Sequence, residues 1–353
     1  MELKAKIEYL EGILKHEIKH YKIYYCLAAS YIKNNDYKSA KINIDNALKL
    51  IDNSNDVELF NLPIELIAIN TIKVSNVFQL AGYIYSIFSE KEAMEYYIRF
   101  QHQLQLEYIN EKKEHYPQDR FILYSFRNYS VYSLADLINN TITFVEPSKM
   151  NDPIDTIAIE WSKQDNLSQV SKHKQQIPIY SKSYNYYRIR SFTANKTFSN
   201  CDKKVFGDTL MWSHYANSHT GYCVKYNLSR DFVFNNNSSL NKTRVLLPIK
   251  YSKEYKHINS KKIKFQNAFI TKAKVWEKER EVRLLSYNPT THESFAQEKL
   301  DSNSWISEIA FGCNCSQENI NSICNILKND HKISFVKIEL DKENIFKLIP
   351  KKI

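Results

Sequence analysis

Five glycines in 353 residues narrow the folds open to this chain. Gly12 and Gly82 stand in its first third, and Gly207, Gly221 and Gly312 are scattered through the rest. A phosphate-cradling P-loop or a G-x-G-x-x-G turn needs clustered glycines, because its backbone must turn tightly and approach a phosphate closely. No two glycines here are near enough to build either. Dinucleotide-binding dehydrogenases, P-loop ATPases and protein kinases are therefore set aside.

The length exceeds one ordinary core and predicts two domains. Hydrophobic residues make up 43% and charged residues 25%, the balance of a folded globular protein rather than a disordered one. The net charge of +10 is unevenly placed, since residues 116–353 hold 35 of the 49 Lys+Arg and 23 of the 39 Asp+Glu. A basic domain attracts phosphates, whether of a nucleotide or of nucleic acid. Six cysteines (Cys26, Cys201, Cys223, Cys313, Cys315 and Cys324) and a start without a basic-then-apolar leader predict free thiols in a cytoplasmic setting. No apolar run reaches the roughly 18 residues that span a bilayer, so no membrane association is expected.

In residues 21–52, Tyr24, Leu27, Ala28, Tyr31, Tyr37, Ala40, Ile44 and Ala47 take the spacing of a tetratricopeptide repeat, which the segment resembles. Small Ala28 and Ala40 allow two antiparallel helices to approach, and Asn34-Asn35-Asp36 supply the turn. A weaker copy follows at residues 76–104, with Gly82, Tyr85, Ala93 and Tyr97 in corresponding places. A lone solenoid unit cannot bury its apolar face, so Leu10, Ile13 and Leu14 are assigned to a capping helix. These hairpins, residues 1–115, are expected to hold a protein or peptide partner. The charged stretch EKKEHYPQD, residues 111–119, carries Pro117 and marks the boundary.

Beyond it the pattern predicts a basic, mainly antiparallel α+β domain over residues 120–353. RFILYSF reads as a strand, YSLADLINN as a short helix capped by Ser133, and TITFVEP as a strand. IRSFTA, GYCVKYNL, RVLLPIKYS and EVRLLSY read as further strands, LMWSHYANSH as a helix or turn, and residues 263–279 as a helix. Residues 305–312 and 333–340 close the domain as strands around a helix at 317–328. The polar segment 155–185 carries no clear pattern.

Several constellations carry chemistry. HEIKH, residues 16–20, has the zinc-protease spacing but sits on a capping helix, where a solvated helix face is the better reading. Cys313, Cys315 and Cys324 lack the paired spacing of structural zinc and read as reduced, packed thiols, so no metal site is assigned. Residues 210–226 gather Trp212, His214, Tyr215, His219 and Tyr222, with Gly221 for a tight turn; Met211 and Trp212 read as core and the histidines as candidates. Glu281 and Arg283 stand two apart and share one strand face, where the guanidinium keeps the carboxylate ionised; the plainer alternative is a surface ion pair.

The blocks LYSFRNYSVYSLADLINNTITFVEPSKMNDPID, IRSFT, LMWSHYANSHTGYCV, TKAKVWEKEREVRLL and ISEIAFGCNCS resemble, in that order, the bacterial family known as domain of unknown function 2971, over about residues 121–340. Their layout is also similar to that of mono-ADP-ribosyltransferases, which bind NAD without a glycine-rich loop. That similarity implies that Arg127 grips a phosphate or ribose of NAD and that Ser191 lies near the nicotinamide ribose. Tyr215 or Tyr124 would stack on the nicotinamide beside His214, and Glu281 would stabilise the ribosyl cation. Glu279 stands in reserve beside Glu281 and Arg283, and Asn151 and Asp152 would order their loop. The implied activity is a toxin-like or antiphage transfer of ADP-ribose. Two other readings stay open: a metal-dependent nuclease or phosphodiesterase using His214 and His219, and a non-enzymatic module whose Tyr186, Tyr187, Arg188 and Arg190 contact nucleic acid.

Overall fold

The computed structural model describes residues 2–15, 19–51, 69–150, 186–234, 236–237, 242–253, 269–288, 293–330, 332–344 and 347–353. Contacts divide the chain into two compact units, the break falling between Tyr108 and Ile109. Asn151, Asp152, the 155–185 segment and His16, Glu17 and Ile18 of HEIKH lie outside the described residues.

The first unit is built of helical hairpins. Helices α1 (Leu3–Lys15), α2 (Tyr21–Lys33), α3 (Tyr37–Ile51) and α4 (Val74–Ser86) follow one another, and α5 (Glu90–His115) belongs to this unit up to Tyr108. Asn35 takes the left-handed conformation at φ 58° in the α2–α3 turn, which asparagine tolerates better than most residues. Asp36 then accepts the Ser39 N–H at 3.0 Å and caps α3. Ala28, Ala40, Ile44 and Ala47 are fully buried with Val77, Ala81 and Ile84 in one cluster, while Leu10 packs with Ile23 and Leu27 in another, flanked by Ile13 and Leu14. A Cβ on Gly82 would stand 2.9 Å from the Tyr97 ring, so the second hairpin also closes over a small residue. His20 begins α2, where its Nδ1 accepts the Lys22 N–H at 3.2 Å; it is a cap rather than part of the capping-helix face.

The second unit is α+β, built on an eleven-stranded mixed sheet. Its main path runs β13 (Leu348–Lys352), β12 (Ser334–Leu340), β11 (Trp305–Phe311), β4 (Tyr222–Ser229), β1 (Arg120–Arg127), β3 (Tyr187–Thr193), β9 (Glu281–Tyr287), β6 (Lys242–Pro248) and β5 (Asn236–Asn237). Most pairs are antiparallel; β11 and β12, joined through the helix Gln317–Leu327, are parallel. Strand β2 (Thr141–Val145) pairs with β10 (Phe295–Lys299) and also reaches β3 through Val145 and Ile189. Strand β1 reaches β3 at Tyr124 and Thr193. Both β1 and β2 therefore adjoin β3, one near each of its ends, and the sheet forks there.

Three expectations need correction. The helix α6 (Val131–Asn139) is capped by Ser130, with Ser133 as its reciprocal partner three residues in, because Ser130 holds the extended backbone an N-cap requires. Of the segment expected to be helical at 263–279, residues 269–270 are helical, but residues 271–279 form a short strand, β8 (Thr271–Ala273), and a 3₁₀ turn, Lys274–Glu279. Strand β8 pairs in parallel with β7 (Lys250–Ser252), which splits RVLLPIKYS between two sheets.

Candidate functional site

A cavity of about 520 Å³ opens where the sheet forks. Tyr124, Ser125 and Phe126 of β1, Val145 of β2 and Ser191, Phe192 and Thr193 of β3 form part of its wall. The short helix Thr209–Tyr215 adds Met211, His214 and Tyr215, and β8 with the 3₁₀ turn adds Lys272, Trp276 and Glu279. Glu281, the first residue of β9, completes the polar side, and Lys149 and Met150 lie on the wall beyond β2.

The polar side is one connected network. Glu281 Oε1 accepts from Ser191 Oγ at 2.6 Å and from Arg283 Nε at 2.7 Å, while Oε2 accepts from Lys272 Nζ at 2.9 Å. Lys272 also donates to Glu279 Oε2 at 2.6 Å, and Tyr215 donates its hydroxyl to Glu279 Oε1. Arg283 is fully buried and spends its Nη1 on the Phe269 carbonyl at 2.6 Å. The main-chain N–H of Glu281 donates to the Tyr251 hydroxyl at 2.8 Å. Two carboxylates thus face two cations with all four side chains buried, so the plain surface ion pair is excluded.

Register explains why Glu281 and Ser191 meet. In the antiparallel β3–β9 ladder Ser191 lies opposite Arg283 and Thr193 opposite Glu281, so Ser191, Glu281 and Arg283 share one face. Burial alone pushes the Glu281 carboxyl up, but Arg283, Lys272 and the hydrogen bonds from Arg283 and Ser191 outweigh it and hold the group below the ordinary glutamate range. Lys272 behaves in mirror fashion: burial lowers its pKa, and the two carboxylates raise it above the ordinary lysine value. At neutral pH the cavity wall therefore presents a fixed carboxylate.

The aromatic side is less committed. Trp276 sets its ring 6.4 Å from His214 at 81° and lies 5.4 Å from the Lys272 ammonium. Trp212 is core, fully buried with its Nε1–H donated to the Phe206 carbonyl at 2.9 Å. His219 stacks on Trp212 at 6.3 Å outside the cavity wall, and burial lowers its pKa. The turn that carries it uses three consecutive left-handed residues, Asn217, Ser218 and His219. Gly221 serves close approach rather than a turn: a Cβ there would stand 2.1 Å from the Arg127 carbonyl oxygen.

The residues singled out in the sequence fall into three groups. Glu281, Glu279, Ser191, His214 and Tyr215 come together on the cavity wall. Tyr124 also reaches the wall, but its ring is fully buried edge-on to Phe206 and its hydroxyl donates to Asp202 at 2.6 Å, leaving no face for stacking. Arg283 stands behind Glu281 as its support, and Arg127 is elsewhere, paired with the fully buried Asp136 at 2.6 Å. Tyr187 and Arg188 are buried in β3. Sequence reasoning missed Lys272 and Trp276, whose signal lay in the T-K-A-K-V-W block read as helix.

Among the described residues, no group of three or more His, Cys, Asp or Glu is placed to hold a metal ion, and the six cysteines are free thiols. No described helix is long and apolar enough to cross a membrane. Residues 211–284 match the family model described as "Protein of unknown function (DUF2971)", which bears out the resemblance from Met211 to Leu284, the stretch that supplies Glu281, Glu279, Lys272 and the His214–Tyr215 wall. No curated protein and no solved structure matches the chain.

Proposed function

We propose that the second unit is an ADP-ribosyltransferase-like enzyme that takes NAD as substrate, with the nicotinamide riboside end in the forked-sheet cavity. The observation that carries this reading is the Glu281 carboxylate, fixed on a cavity wall by Ser191, Arg283 and Lys272 and facing an aromatic side of Tyr215 and Trp276. A preorganised carboxylate stabilises positive charge more effectively than water does, because it needs no reorientation as the charge develops. In this reading the bond between ribose C1′ and the nicotinamide nitrogen breaks and its electron pair leaves with nicotinamide. Glu281 stabilises the cationic ribose, and the acceptor nucleophile adds at C1′ while losing its proton to Glu279.

The residues present fit such a ligand unevenly. The wall provides a hydroxyl at Ser191, an acidic pair and flat rings, and Lys149 at the cavity is largely exposed, 3.9 Å from the Glu146 carboxylate with which a phosphate would compete. Arg127 is committed to Asp136 and is withdrawn from the phosphate role. In the same proposal the helical hairpins choose a protein acceptor or restrain the enzyme, as a toxin or defence protein requires.

The test is nicotinamide release from NAD by the purified full chain and by Glu281→Gln, each supplied with cell lysate as a source of acceptors. Wild type should release nicotinamide and the variant should fall by at least about 100-fold, the usual loss when one preorganised electrostatic group is removed. Absence of release from wild type, or equal release from both, refutes the assignment.

A further inference from the structure

The face of the sheet turned away from Glu281 carries a second concentration of charge. Arg190 precedes Ser191 on β3 and so projects to the opposite face. Arg127 projects to that face from β1, directly opposite Tyr222 of β4, and Tyr226 lies four residues along β4 on the same side. Arg190 sets its guanidinium 5.5 Å from the Phe192 ring, and Tyr226 packs edge-on against that ring at 5.6 Å. Phe192 thus brings the arginine and the tyrosine to one place.

The charges there do not balance. Arg127 is satisfied by Asp136, which also accepts from the Thr141 and Thr143 hydroxyls. Arg190 donates Nη2 to the neutral Ser125 hydroxyl at 2.6 Å, and its buried Nε has no partner among the described residues. The Tyr226 hydroxyl, on a side chain with no exposure, has none either. Burial, and then the like charge of Arg127, push the Arg190 pKa down to about 10, so the group is still a cation at neutral pH. A buried guanidinium N–H without an acceptor and a buried hydroxyl without one are both costly, and one anion relieves both. The Arg127 side chain keeps 11% exposure and Arg190 is half-buried.

We infer that Arg190 and Tyr226, with Arg127 alongside, form an anion site for a phosphate-class group, on the face of β3 opposite Ser191 and Glu281. A tetrahedral oxyanion accepts from the Arg190 Nε–H and the Tyr226 hydroxyl together, and guanidinium suits phosphate in both geometry and charge. A free phosphate ion and the phosphoryl group of a nucleotide present the same oxygens. The site goes beyond the transferase proposal and stands without it.

Titration calorimetry of the full chain with inorganic phosphate, and in parallel with AMP, at constant ionic strength held by chloride, tests the site. Saturable one-to-one binding is expected in wild type and, unchanged, in Glu281→Gln, which separates this site from the transferase reading. Tyr226→Phe removes a single oxygen and should weaken binding about tenfold, the size of one hydrogen bond to a charged group; Arg190→Gln should abolish it. Tighter binding of AMP than of phosphate assigns the phosphoryl group to a nucleotide, and the reverse assigns it to the free ion. If Arg190→Gln does not fold, Tyr226→Phe decides alone. No saturable heat with either probe, or equal affinity in wild type and Tyr226→Phe, overturns the inference.

Discussion

Replacing Lys272 by Met tests whether the acidic pair on the cavity wall depends on the ammonium between its members. Lys272 Nζ lies 2.6 Å from Glu279 and 2.9 Å from Glu281, and both carboxylates are less than a tenth exposed. Removing one member of a buried ion pair costs about 3–5 kcal/mol. Arg283 stays on Glu281 and Tyr215 on Glu279 after the change, so the lower end of that range applies. In a unit of this size, about 3 kcal/mol corresponds to a drop in Tm of about 6–12 °C. The pH dependence has a definite sign. The Glu281 pKa is depressed in the folded chain, so its contribution is present above the ordinary carboxylate value and lost as pH falls through the folded value. The variant lacks one cause of that depression. The gap in Tm between the two proteins should therefore be widest near pH 7 and narrow as pH falls below about 4.3, the unperturbed glutamate value. Thermal melts followed by near-ultraviolet circular dichroism at a series of pH values read this directly. A shift under about 2 °C at pH 7, or a gap that widens in acid, refutes the reasoning.

Other substitutions probe the frame around the cavity. Gly221→Ala places a Cβ 2.1 Å from the Arg127 carbonyl, where backbone must move, and should cost at least about 3 kcal/mol by chemical denaturation; a near-neutral variant means β1 and β4 do not approach as closely as described. Ser130→Ala removes the side chain that accepts the Ser133 N–H at the start of α6 and should cost about 1 kcal/mol, read as a shifted denaturation midpoint with an unchanged slope. Gly82→Ala drives a methyl to 2.9 Å from the Tyr97 ring and should destabilise the helical unit by about 1–3 kcal/mol, read as a lowered melting temperature, while leaving any nicotinamide release intact.

The helical hairpins were legible because their signals are local. Alanines at close-packed positions, an Asn-Asn-Asp turn and a small residue facing an aromatic ring each act within a few dozen residues. The Glu281–Arg283 pair was legible for the same reason, since two residues apart on a strand fixes a common face. Its depth was not. The E-V-R-L start of the strand alternates as a half-exposed strand does, yet all seven residues of β9 are buried because it is flanked by β3 and β6 and covered on both faces. Periodicity reports which residues share a face, not whether that face meets water. Lys272 was hidden by a different failure. A three-residue strand followed by a 3₁₀ turn is too short to show any period, so the segment's composition read as helix.

Arg127 shows where local reading stops and topology takes over. An arginine beside an aromatic on a strand of a basic domain reads as a phosphate grip, and its partner Asp136 is only nine residues away, on α6. The deciding fact is the fork: β1 and β2 both adjoin β3, and the α6 connection between them carries Asp136 to the face opposite the cavity. One carboxylate then meets two arginines, Arg127 from β1 and Arg190 from β3, and satisfies the first. The same fork opens the other face into the cavity beside Ser191 and Glu281. A single topological feature thus sets a fixed carboxylate on one side of the sheet and an unmatched guanidinium on the other.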